Sequence, residues 1–118
     1  MKWSDYQKEA FRTNANIGNE SLDNYHMIFG MFTEVAELAD VFKKNMAYGK
    51  DIDWVNVKEE LFDLMWYVAG FCEFNRIDFE KGLQNNIDKL RARYPEKFTQ
   101  EKAVNRNLDV ERKILENE

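Results

Sequence analysis

Apolar positions recur three and four residues apart along most of the chain, the spacing of one face of a helix. Trp3, Tyr6, Ala10 and Phe11 mark a short first helix over residues 1–12, with Ser4 as a candidate cap, and the polar run of residues 13–19 reads as a loop. Ser21 or Asp23 can cap a second helix that runs to about Met46, carrying its stripe on Met27, Met31, Val35, Leu38 and Phe42. Tyr48, Gly49, Lys50 and Asp51 break the pattern. Asp53 or Asn56 then starts a third helix through about Phe74, apolar on almost every face and so the expected centre of a bundle. Asp78 caps a fourth helix, whose face of Phe79, Leu83, Ile87, Leu90 and Tyr94 ends at Pro95. Residues 96–118 are polar, with Val104, Leu108, Ile114 and Leu115 spaced among them, and are expected to form a weaker helix or a docked arm. The expected fold class is all-α: a four-helix bundle with a C-terminal arm.

Length and composition narrow this further. A chain of 118 residues fits a single domain spanning 1–118, able to bury roughly 65% of its unfolded surface. One proline and five glycines are few enough to suit long helices. The net charge of −5, with no basic block, argues against duplex nucleic acid as a partner. Cys72 is the only cysteine, which rules out a disulfide framework and points to a reducing cytoplasm, a host's cytoplasm if the gene is a phage's. The N-terminus lacks a charged start followed by an apolar stretch, and no apolar run reaches 18 residues, so no membrane segment is expected. Met65, Trp66 and Phe71 lie on different faces of the third helix, and the other helices of one chain can cover only part of it. A homo-oligomer is therefore expected.

Candidate chemistry lies in acids without local partners. On a solvated helix an acid usually has a Lys or Arg three or four residues away, as Asp40 has in Lys43 and Lys44. Glu34 and Glu37 have none: their neighbours at that spacing are Gly30, Met31, Thr33, Leu38, Val41 and further acids. Asp63 is the only charged residue between Leu61 and Cys72, and Glu59 and Glu60 precede it by one turn. If the two helices face each other, Glu34, Glu37, Glu60 and Asp63 would set four carboxylates about the coordination shell of one hard cation. Oxygen donors without histidine favour Mg²⁺, with Mn²⁺ as a substitute. A di-iron carboxylate bundle needs two Glu-x-x-His pairs, and the chain has one histidine, His26.

Three segments carry a family resemblance: Glu34-Val35-Ala36-Glu37-Leu38-Ala39-Asp40, Lys58-Glu59-Glu60-Leu61-Phe62-Asp63, and Asn86-Ile87-Asp88-Lys89-Leu90-Arg91-Ala92-Arg93-Tyr94-Pro95. Together they resemble the MazG-like nucleotide pyrophosphohydrolases, whose signature is an ExxE, a spacer and an ExxD on antiparallel helices. The resemblance implies a Mg²⁺-dependent enzyme that converts a nucleoside triphosphate and water to the monophosphate and diphosphate, working as a homodimer or a dimer of dimers. By motif position Glu34, Glu37, Glu60 and Asp63 become metal ligands, and Asn86 and Lys89 match the pattern of the fourth helix. Two positions depart from the family: Thr33 stands where glycine is frequent, and His26 where asparagine is frequent, so substrate choice can differ.

The remaining assignments concern substrate. His26, Gly30, Thr33, Glu34 and Glu37 share one side of the helical wheel, where Gly30 would leave room for a ligand and His26 could touch base or sugar. Lys89 and Arg93 are phosphate candidates, Arg93 serving equally well as a cation at a helix C-terminus, and Lys50 is a further one. Trp66 and Tyr67 could stack on a base or belong to the core. Either Glu37 or Glu60 could accept the proton of the attacking water. The competing class is a non-catalytic helical oligomerisation or metal-sensing module, which would not require all four motif acids.

Overall fold

A computed structural model describes residues 1–14 and 19–117, and these form six helices and no strand. They are α1 (Trp3–Arg12), α2 (Glu20–Tyr48), α3 (Trp54–Phe74), α4 (Phe79–Arg93), α5 (Gln100–Val104) and α6 (Leu108–Leu115). Residues 15–18 of the predicted loop, and Glu118, lie outside the described residues. The chain gathers into two compact units, Met1–Ile77 and Asp78–Glu118.

In the first unit α3 packs against both α2 and α1. Small residues let the helices approach. A Cβ added at Gly70 would lie 2.7 Å from Met27 Sδ, and Met27 and Ala69 are wholly buried, with Ala10 nearly so. Phe11 meets Phe74 edge-on at 5.1 Å, and Gln7 Nε2 donates to the Ile77 carbonyl at 2.9 Å, tying α1 to the far end of α3. At that end Asn24 and Asn75 exchange amide hydrogen bonds of 3.1 and 2.7 Å.

Helix boundaries follow the capping chemistry, with three corrections to the sequence reading. Asn19, not Ser21 or Asp23, caps α2. Its extended backbone lets Oδ1 accept from Leu22 N at 2.9 Å, so the helix starts early enough to take Ser21 and Asp23 into its first turn. The same helix passes Met46 and stops at Gly49, which turns left-handed (φ 66°) and whose amide donates to the Asn45 carbonyl at 3.0 Å. Ser4 is likewise inside α1, which begins after Lys2 with no side-chain cap. Asp53 is the cap of α3, accepting from Val55 N and Asn56 N at 3.1 and 3.2 Å, and Asp78 caps α4 from Lys81 N at 3.0 Å.

The second unit is the α4 helix with α6 packed against it. The predicted arm is thus two short helices, and it is anchored by polar groups. Glu111 is buried and receives Arg93 Nη2 at 2.6 Å and Arg106 Nε at 3.0 Å, while Asn85 Nδ2 donates to the Asn117 carbonyl at 2.6 Å. Burial alone would raise the Glu111 carboxyl, but hydrogen bonds from Arg106 and Arg93 hold it below its ordinary value. Among the described residues, no helix is long and apolar enough to cross a membrane.

Candidate metal centre

The close packing of α2 on α3 decides where the acids meet. Glu34 and Glu37 are one turn apart on α2 and Glu60 lies on α3, and one carboxylate oxygen from each falls within 4.8 Å of the other two. Glu60 is buried, Glu34 half-buried and Glu37 exposed. Glu34 Oε2 is enclosed without a hydrogen-bond partner.

Crowding of three acids leaves an electrostatic mark. The Glu60 carboxyl is pushed up to about 8, first by hydrogen bonds with Glu37 and Glu34 that hold its proton, then by burial and by their charges. Glu34 is also raised, chiefly by burial. An enclosed oxygen without a donor beside like-charged neighbours matches what a hard divalent cation needs, and no Lys, Arg or His forms an ion pair with any of the three among the described residues.

Asp63 stands outside this trio and is exposed, yet its charge contributes to raising Glu34 and Tyr67. The space expected at Gly30 is filled: a Cβ there would lie 2.1 Å from Tyr67 Cε1, so the glycine admits the Tyr67 ring instead of a ligand. His26 packs edge-on to that ring at 6.0 Å and keeps a buried Nδ1 without a hydrogen-bond partner. Trp66 meets Tyr67 edge-on at 5.0 Å and donates to Thr13 Oγ1 at 3.1 Å. Both rings therefore take part in local packing. Lys50 is exposed in the α2–α3 connection, where its carbonyl accepts from Asn45 Nδ2 at 2.8 Å. In the second unit Asn86 is exposed and Lys89 half-buried on α4, while Arg93 is engaged by Glu111.

Sequence reasoning passed over Lys44. Its ammonium lies 2.8 Å from Asp40, and the residue lines the same open cleft as Glu37 and Glu60. An acid four residues earlier made it look fully accounted for.

The family model for the MazG nucleotide pyrophosphohydrolase domain matches residues 24–98, which include both acid pairs and the whole of α4. The chain belongs to the MazG family. No curated protein and no solved structure matches it. The match ends before α5, so Glu111, the partner of this MazG chain's Arg93, and Arg106, the second cation on Glu111, lie beyond the family region.

A raised Glu60 has a measurable consequence. At pH 7 the metal-free carboxyl keeps its proton, and a cation entering the trio must expel it. Titration with Mg²⁺ or Mn²⁺ near pH 7 is expected to release close to one proton per cation, read from binding heats in buffers of different ionisation enthalpy, with the release falling toward zero well above pH 8. The metal-free fold should also lose stability as pH rises through about 8, because a raised carboxyl stabilises below its ordinary value and ceases to above the shifted one. Proton release that stays constant across this range would contradict the assignment.

Proposed function

We propose that this MazG domain is a Mg²⁺-dependent nucleoside triphosphate pyrophosphohydrolase that converts a (deoxy)nucleoside triphosphate and water to the monophosphate and diphosphate. The observation that carries the reading is the meeting of Glu34, Glu37 and Glu60 from two helices, one buried oxygen lacking any donor, in a chain of this family. Glu34, Glu37 and Glu60 would hold the cation, with Asp63 as the fourth motif acid.

When bound, the cation supplies charge withdrawal from the phosphates and a lower pKa for a neighbouring water. The rest falls to side chains. Glu37, the exposed member of the trio, and Glu60 are the two groups we assign to take a proton from that water. Asn86 and Lys89 are the α4 groups we assign to phosphate. Arg93 is committed to Glu111, a role in anchoring α6 that leaves phosphate binding to its neighbours.

We further propose a homodimer or dimer of dimers in the cytoplasm. Phe29 and Phe32 on α2 are 64% and 75% exposed, and Trp54 and Phe62 on α3 are exposed as well, a density of apolar surface that suits an interface. A melting temperature that falls over a hundredfold dilution, with a sedimentation mass above that of one chain, is expected. A constant melting temperature and a single-chain mass would exclude it. The activity itself is tested by a panel of nucleoside triphosphates with Mg²⁺, scored for pyrophosphate against orthophosphate. Orthophosphate as the primary product, or metal binding without turnover of any triphosphate, would overturn the reading.

A further inference from the structure

Two members of the carboxylate trio, Glu37 and Glu60, open onto a cleft of about 490 Å³ between the C-terminal half of α2 and the first turns of α3. Glu37 and Glu60 line it together with Asp40, Asn56 and Lys44. The other lining residues, Ala36 and Val41, are small, so the space suits a compact polar group. Lys44 is the only cation in that lining.

Charge decides what can enter. Glu37, Asp40 and Glu60 repel an anion until a divalent cation sits among the acids, and the lining then offers an anion one positive side chain, Lys44. Asp40 holds its ammonium at 2.8 Å, a partly exposed pair of little stabilising value, so an incoming phosphate oxygen can compete for it. The neighbour Lys43 is a built-in contrast. It reaches the other oxygen of Asp40 at 3.6 Å, also within one turn, but takes no part in the cleft.

We propose that Lys44 binds the two-phosphate portion of the substrate, the part that leaves as pyrophosphate, and that Asp40 positions its ammonium in the cleft. The inference deepens the pyrophosphohydrolase reading and rests on it. Hydrolysis breaks the α–β anhydride P–O bond and forms one new P–O bond from water. Whichever phosphorus is attacked, pyrophosphate is the more highly charged product, and a three-donor ammonium matches its terminal oxygens.

Binding of inorganic pyrophosphate at saturating Mg²⁺, by calorimetry, tests this without turnover. Lys44→Met is expected to weaken binding by about 10–100-fold, Lys44→Arg to restore part of it, and Lys43→Met to change it less than about threefold. Mn²⁺ binding in the absence of pyrophosphate should survive in all three variants, which also shows that they are folded. Equal weakening by Lys43→Met and Lys44→Met would reduce the effect to net charge and overturn the proposal, as would unchanged pyrophosphate affinity in Lys44→Met or no pyrophosphate binding by the parent protein. The two readings fail separately. If triphosphates release pyrophosphate while Lys44→Met binds it normally, Lys44 alone is misassigned. If no triphosphate is cleaved yet Lys44→Met loses pyrophosphate selectively, the anion subsite stands and the enzymatic reading falls.

Discussion

Glu60→Gln and Glu37→Gln should each lower pyrophosphate release by about 10²–10⁴-fold while leaving the helices intact. Each substitution keeps the side-chain volume and removes one negative oxygen donor from a trio whose members lie within 4.8 Å. The loss falls on chemistry. Folding should not suffer, because three acids that crowd Glu60's carboxyl up to about 8 oppose one another when no cation is present. Metal-free melting temperatures of both variants are therefore expected to match or exceed the parent's above pH 8, where the parent carries the full repulsion. Asp63→Asn completes the series: outside the trio, a loss as large as that of the two Gln variants would place Asp63 on the cation, and a small loss would make it a neighbouring charge only. Retained turnover in both Gln variants would remove the carboxylate site.

The largest effect on stability is expected at Met27, the only wholly buried large side chain among the described residues. Met27→Ala should cost about 2–5 kcal/mol, combining lost apolar burial with the cavity left where Sδ fills the space over Gly70. For a domain of this size that corresponds to a melting-temperature fall of roughly 8–20 °C. Gly30→Ala acts by the opposite route, driving a methyl into the Tyr67 ring. A Met27→Ala protein that melts within a degree or two of the parent would mean that α2 and α3 do not pack at this crossing.

Much of this was legible in the sequence. Glu34 and Glu37 stood out because no cation lay three or four residues away, and the stripe of α2 gave the face on which they border α3. The cap of α4 at Asp78 was readable from local capping chemistry, and that of α3, at Asp53, was narrowed to Asp53 or Asn56. What escaped was set by distance in the chain or by competition between equivalent signals. Arg93 has Glu111 as its partner, 18 residues on, so a reading by helical neighbours offered a phosphate ligand or an end-of-helix cation and missed the pair. Gly30 announced a space without saying that Tyr67 fills it. Asn19, Ser21 and Asp23 could all cap α2, and local chemistry does not rank them. Lys44 was hidden by a satisfied pair with Asp40, because a salt bridge along one helix says nothing of which cleft the ammonium borders.

The short connection between α2 and α3 bears on when the site forms. Residues 49–53 join the two helices, closed by Gly49 and Asp53, so every member of the carboxylate trio belongs to one hairpin. Loop closure of that length costs little entropy, and contacts this local form early in folding. Under the proposed metal reading, a divalent cation would bind a site contained in this one hairpin, and would favour the paired state of α2 and α3 without needing the C-terminal helices.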